Sequence, residues 1–120
     1  MSSITLYGIP NCDTMKKARK WLDEHGIDYA FHNYKKDGVP QAALKQWVEQ
    51  LGWETLLNKR GTTWRKLDEA VKQNLDAGTA IDIMLAHPSI IKRPVLVSDG
   101  QLIVGFDTSV YNNLLYPEKH

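Results

Sequence analysis

The sequence predicts an α/β protein built on a four-stranded mixed sheet, and three observations carry that prediction. Ile4-Thr5-Leu6-Tyr7 is an apolar, β-branched run followed by an amphipathic helical pattern and a second alternating run, which together read as a strand–helix–strand unit. From about residue 40 to 91 the chain shows helical periodicity and turns but no strand pattern. Asp99-Gly100 then separates two apolar runs, as a tight hairpin turn does. The predicted order is β-α-β, a helical insertion, then β-β-α. The helical crossover makes the first half of the sheet parallel, and the hairpin makes the second half antiparallel.

Each element has a local reason. Ser3–Ile9 reads as a buried strand, and Gly8 and Pro10 turn the chain sharply at its end. Asn11 reads as a helix cap. Met15, Ala18, Trp21 and Leu22 then recur at steps of three and four, while Lys16, Lys17, Arg19 and Lys20 fall largely on other faces, so a helix is expected as far as His25. Gly26 ends it. Ile27 to Tyr34 alternates, with Ile27, Tyr29 and Phe31 on one face of a half-buried strand. Lys35-Lys36-Asp37-Gly38 reads as a turn. Pro40 opens a helix that buries Leu44, Trp47, Val48 and Leu51, Gly52 closes it, and Trp53 to Leu57 adds a helical turn. Thr63 is placed to cap a helix holding Trp64, Leu67 and Val71. Thr79 is placed to cap another, holding Ile81, Met84 and Leu85 and stopping at His87-Pro88. Ile90 to Val97 delivers the third strand, Leu102 to Phe106 the fourth, and Asp107 to Leu115 a last helix capped by Asp107, Thr108 or Ser109. The arrangement is thioredoxin-like, with the helical insertion between its halves.

Size and composition limit the possible functions. The 120 residues are expected to form one domain, 42% hydrophobic and 24% charged, with a formal net charge of +1. That balance predicts neither a nucleic-acid nor a membrane partner, and any basic character that matters must be local. No apolar run approaches the ~20 residues that span a bilayer, and Met1-Ser2-Ser3 enters a strand with no basic segment or cleavage site. A single cysteine allows no internal disulfide and suits a reducing compartment, so a cytoplasmic location is expected.

The candidate for chemistry is Cys12, within Tyr7-Gly8-Ile9-Pro10-Asn11-Cys12-Asp13-Thr14. At or beside a helix N-terminus, unpaired N–H groups and the positive end of the helix dipole favour a thiolate or a bound anion. Lone cysteines are in general small buried hydrophobes. Here the neighbours Pro10, Asn11, Asp13 and Thr14 are turn and cap residues, and the thiol reads as presented and reactive. Met15 stands where a C-x-x-C pair would have its second cysteine, so any turnover through a disulfide needs a thiol from outside the chain.

Two arginines are further candidates. Arg60, in Asn58-Lys59-Arg60-Gly61-Thr62-Thr63, is on composition a solvated basic turn, although an arginine there has the forked geometry for a carboxylate, phosphate or sulfur anion. Arg93-Pro94 is either an edge-strand starter behind a surface arginine or the site of the cis bond that thioredoxin-like sheets have in common. His25, His32, His87 and His120 share no metal-ligand spacing, so no metal is expected. Trp21, Trp47, Trp53 and Trp64 read as core, and Asp13 and Asp107 as cap or turn residues.

Taken together, the cysteine turn, Asn58-Lys59-Arg60-Gly61-Thr62, Ile91-Lys92-Arg93-Pro94-Val95-Leu96-Val97 and the Val104-Gly105-Phe106 strand end resemble the arsenate reductase/Spx (ArsC-like) family over nearly the whole chain, most closely its YffB-like branch. The resemblance implies one thioredoxin-fold domain, Cys12 as redox nucleophile, and Arg60 and Arg93 as an anion-binding pair. Asn11, Asp13, Thr14 and Pro94 complete the expected substrate- or glutathione-binding set. It further implies an oxidoreductase with no bound cofactor, with glutathione as co-substrate and glutaredoxin as a candidate partner. In the glutathione-linked arsenate reductases a third arginine follows the last strand. Phe106-Asp107-Thr108-Ser109-Val110 lacks it, which argues against arsenate reduction. The regulator branch, which acts by binding RNA polymerase, carries a C-x-x-C switch that Met15 removes. The expectation is therefore a single-cysteine, glutathione-dependent thiol reductase. Arsenate reduction and a non-catalytic regulatory role are the alternatives.

Overall fold

The computed structural model describes residues 4–10, 12–98 and 100–115. In chain order the elements are β1 (Ile4–Gly8), α1 (Asp13–Glu24), β2 (Ala30–Asn33), α2 (Tyr34–Asp37), α3 (Gln41–Leu51), α4 (Trp53–Leu56), α5 (Thr62–Arg65), α6 (Glu69–Gln73), α7 (Ala77–Ala86), a 3-10 turn at Pro88–Ile90, β3 (Val95–Ser98), β4 (Gln101–Val104) and α8 (Thr108–Leu115). Residue contacts divide the chain into two compact units, Met1–Asn33 with Arg93–His120, and Tyr34–Lys92.

The first unit holds the sheet, in the order β2-β1-β3-β4. β1 pairs parallel with β2, setting Leu6 opposite Phe31, and antiparallel with β3, setting Leu6 opposite Leu96. β3 and β4 form the expected hairpin, with Val95 opposite Val104. Asp99, read as part of its turn, lies outside the described residues, while Gly100 adopts φ +82°. This is the mixed thioredoxin-like sheet predicted by the element order.

Period-two alternation in β1 turns Ile4 and Leu6 inward, where they meet Met15, Ala18 and Leu22 from α1, Leu96 from β3 and Tyr111 from α8. Leu6, Leu22 and Leu96 are wholly buried, and each contributes about 1.5–3 kcal/mol of apolar transfer. Trp21, expected on the same face, is only half-buried and meets Tyr111 edge-on at 5.7 Å. Tyr111 also meets Phe106 edge-on at 5.1 Å and donates its hydroxyl to the Gly105 carbonyl at 3.3 Å. Burial pushes its phenol well above the ordinary value. Of the three candidate caps for α8, Asp107 serves, its Oδ1 accepting from the N–H groups of Ser109 at 2.9 Å and Val110 at 3.3 Å.

The second unit is helical. Tyr34 of α2, Leu44, Trp47 and Val48 of α3, Leu56 of α4, Ala80 and Met84 of α7, and Ile90 are its buried residues, together with Leu57 and Ile91, which form an isolated bridge. Asn58 N–H donates to the Ile90 carbonyl and Lys92 N–H to the Leu56 carbonyl, each at 2.7 Å, fastening the unit's end to its middle.

Several local expectations are corrected here. Lys35–Gly38 is preceded and largely replaced by the helical turn α2, which Gly38 ends at φ +75°. The helix expected after Thr63 is two helices, because Asp68 at φ −62°, ψ 143° breaks the run and starts α6. Asp76, not Thr79, caps α7: its Oδ1 accepts the Thr79 N–H while the Thr79 hydroxyl accepts the Asp76 N–H, both at 2.9 Å. Gly78 therefore lies inside the helix, and the buried pair is Ala80 and Met84, with Ile81 and Leu85 only half-buried. The third strand begins at Val95, since Pro88–Ile90 closes a 3-10 turn first. Among the described residues no helix is long and apolar enough to cross a membrane.

Candidate functional site

The turn between β1 and α1 is built from a close approach. Gly8 ends the strand, and the thioether of the wholly buried Met15 lies directly against it. A Cβ on residue 8 would overlap Met15 Sδ and stand 2.8 Å from Met15 Cε. Only glycine lets the first turn of α1 close this tightly onto the strand. Cys12 itself takes the N-cap position, with extended backbone at φ −117°, ψ 131°, and its carbonyl accepts the Lys16 N–H at 3.0 Å. The cap thus falls one residue later than Asn11, which lies outside the described residues.

The Cys12 side chain is half-buried and packs against the core cluster of the first unit. Burial is the largest single influence on the thiol and opposes its ionisation. It is outweighed by the Met15 N–H, the Arg93 guanidinium as a hydrogen-bond donor, the Thr14 N–H and the Arg93 charge, so the thiol lies below its ordinary pKa. The sulfur makes no conventional cap hydrogen bond of the kind a serine or aspartate makes, yet Thr14 and Met15 are the second and third residues of the helix, whose N–H groups face such a cap.

Arg93 reaches Cys12 from the strand side. It is half-buried and precedes Pro94, which is buried and joined to it by a cis peptide bond. The Pro94 carbonyl accepts the Gly105 N–H at 2.8 Å, tying the start of β3 to the end of β4, and Gly105 turns there at φ +87°. Asp13 occupies the first position of α1, exposed, where a carboxylate favours the positive end of the helix.

The first unit therefore contains Cys12, Asp13, Thr14, Arg93 and Pro94 of the predicted set, with Arg93 and Thr14 acting on the sulfur. Arg60 belongs to the second unit, exposed on the turn before α5, with its N–H donating to Asn58 Oδ1 at 3.1 Å. That unit also holds a cavity of about 410 Å³, bordered by Thr62, Thr63, Lys66, Asp68 and His87 among others, and none of the predicted site residues lines it. Sequence reasoning missed Met15 as a contributor of its N–H and Gly8 as its seat. Counting three residues on from the cap would have pointed to Met15. Nothing in the sequence signalled that Gly8 and Met15 touch. Among the described residues no group of three or more His, Cys, Asp or Glu side chains could hold a metal ion. A half-buried single thiol, biased toward thiolate beside a guanidinium, is a nucleophile equipped for exchange at sulfur or attack on an oxyanion centre.

Comparisons with known proteins identify the family and the fold. A model of the ArsC family matches residues 7–114. An uncharacterized protein of Haemophilus influenzae is 49% identical over 108 residues, covering 90% of this chain and 95% of that protein. Among solved structures, a YFFB protein aligns with a TM-score of 0.88 at 55% identity over 91% of this chain and 96% of its own. An arsenate reductase (ArsC) related protein from Brucella melitensis aligns with a TM-score of 0.75 at 54% identity over 95% of each chain. With its cysteine at the helix cap and its arginine before the cis proline, the chain belongs to the ArsC family, and within it to the YffB-like members.

Proposed function

We propose that this protein is a glutathione-dependent thiol oxidoreductase in which Cys12 works as a single nucleophile. The observation that supports it best is the balance at the sulfur, where two helix N–H groups and Arg93 outweigh burial and favour the attacking thiolate. In the proposed cycle the Cys12 thiolate attacks the glutathione sulfur of a mixed disulfide. A bond forms between the two sulfurs, the old sulfur–sulfur bond breaks, and the substrate thiolate leaves with the electron pair and takes a proton from solvent. A second glutathione thiolate then attacks the glutathione sulfur bound to Cys12, releasing glutathione disulfide and restoring the Cys12 thiolate. Arg93, which acts on the Cys12 sulfur, would hold a glutathione carboxylate in forked geometry, with glutaredoxin as the candidate partner for the resolving step.

Arsenate reduction is the less favoured chemistry. Where arsenate reductases carry a third arginine, this chain has Asp107, whose carboxylate is engaged in capping α8. Mass spectrometry of the reduced protein after exposure to glutathione disulfide tests the proposal. One glutathione added at Cys12, and none on a Cys12→Ser variant, is expected. No adduct together with an ordinary thiol pKa refutes it. An arsenate-dependent turnover in a glutathione- and glutaredoxin-coupled assay would reinstate the other reading.

A further inference from the structure

Beyond Asp13 at its first position, the charge pattern of α1 runs against the helix it belongs to. Lys16, Lys17, Arg19 and Lys20 crowd the first two turns, and Asp23 and Glu24 stand at the end, where the last turn has no basic residue. Helices are stabilised by the reverse order, with acids near the N-terminus and cations near the C-terminus. Lys16 and Lys20 are also like charges four residues apart, and Lys17 and Lys20 three apart, spacings that weaken a helix. Asp13 with Lys17 and Arg19 with Asp23 are opposite charges four apart and offset part of this cost, yet four cations stand against one acid in this half of the helix. Lys16, Lys17 and Lys20 are all exposed, and the Lys20–Glu24 pair, at 3.9 Å with side chains 79% and 61% exposed, is too loose to cancel the charge. Arg19 is held in place by Tyr29, whose hydroxyl accepts from Nε at 3.2 Å, and by the Phe31 ring at 4.5 Å. Lys16, Arg19 and Lys20 line the basic end of a shallow surface groove of about 370 Å³ that continues to Asp23 and Glu24.

After Asp13 offsets one of them, these cations still add to the positive end of the helix where Cys12 caps it. With a rise of about 1.5 Å per residue they lie about 6–12 Å along the axis from the cap, close to one Debye length at physiological salt. We propose that the first two turns of α1 form an electropositive approach surface that selects small anionic disulfides, those carrying a surplus of carboxylates, for attack by Cys12. The inference rests on the reading of Cys12 as the attacking thiol and adds to it the charge class of the substrate. The exchange step is as above: the Cys12 thiolate forms the new disulfide, and the departing anionic thiolate takes the electron pair and then a proton from solvent.

The test uses three disulfides that differ in charge: doubly anionic glutathione disulfide, neutral hydroxyethyl disulfide and doubly cationic cystamine. Rates of adduct formation on the full-length protein are measured per Cys12 thiolate, with the thiolate followed by its ultraviolet absorbance. For wild type, the glutathione disulfide rate should fall and the cystamine rate rise as salt is added, with the neutral rate flat. In a Lys16→Gln/Lys17→Gln/Lys20→Gln variant, glutamine preserves helix propensity. Its glutathione disulfide rate should drop about three- to tenfold at low salt and its cystamine rate should rise. Salt-independent rates in the wild type, or a variant that changes all three rates by one common factor, overturn the inference while leaving Cys12 as the nucleophile. No adduct with any of the three disulfides overturns the functional reading and this inference with it.

Discussion

Replacing Gly8 by alanine tests whether the seat of Met15 governs the cysteine turn. The added methyl would overlap Met15 Sδ and stand 2.8 Å from Cε and 3.3 Å from Cγ. Met15 is wholly buried, so its thioether must take another rotamer inside a filled core. Overpacking of this kind costs about 1–3 kcal/mol. Alanine regains about 0.4–1 kcal/mol by restricting the unfolded chain at residue 8, since Gly8 is not at positive φ. The net loss centres on about 1.3 kcal/mol and reaches at most about 2.6 kcal/mol, or a melting temperature lower by roughly 5 °C at the centre for a chain of this length. Because the Met15 N–H favours the Cys12 thiolate, the same change should move the thiol pKa upward. A double-mutant cycle with Met15→Ala isolates the contact. The single Met15→Ala change leaves a cavity costing about 2–5 kcal/mol. Combined with Gly8→Ala, the methyl has room, and the double variant should be about 1–3 kcal/mol more stable than the sum of the singles predicts. Additive losses within about 0.5 kcal/mol, or a thiol that titrates as in wild type, would refute the coupling.

Three other outcomes follow from the same structure. Arg93→Gln removes a hydrogen bond and a positive charge from the sulfur, and titration of thiolate absorbance should show the Cys12 pKa rising toward the ordinary thiol value; an unchanged titration refutes that contact. Because the folded-state pKa of Cys12 is depressed, its contribution to stability is fully present above the ordinary thiol pKa and is lost as pH falls through the folded value. Urea unfolding of wild type against Cys12→Ser should therefore show a stability difference that moves in favour of wild type as pH rises through that window, and a flat or falling difference would contradict it. Asp107→Ala should cost about 0.5–2 kcal/mol of thermal stability through loss of the α8 cap, with Asp107→Asn close to wild type, whereas equal losses would assign Asp107 a role for its charge.

Most of the fold was legible because its signals are local. The period-two pattern of β1, the three-and-four spacing of Met15, Ala18 and Leu22, and the Gly100 turn each depend on residues a few positions apart. The errors came where neighbouring signals compete. Asp76 and Thr79 are both good caps, and only their reciprocal hydrogen bonds decide that Asp76 begins the helix and Thr79 supports it. Ile90 and Ile91 are as apolar and β-branched as a strand start, but a 3-10 turn at Pro88–Ile90 and the pairing of Ile91 with Leu57 delay β3 to Val95.

The sequence by itself determined the mixed sheet, the placing of the single cysteine at a helix start and the exclusion of an internal dithiol. These follow from spacing and residue type along one short stretch. Tertiary structure alone decided that Arg93, some eighty residues away in the chain, acts on Cys12, that its bond to Pro94 is cis, and that Gly8 seats Met15. Each of those depends on sheet register and core packing, which bring distant residues together through contacts that local propensity does not encode.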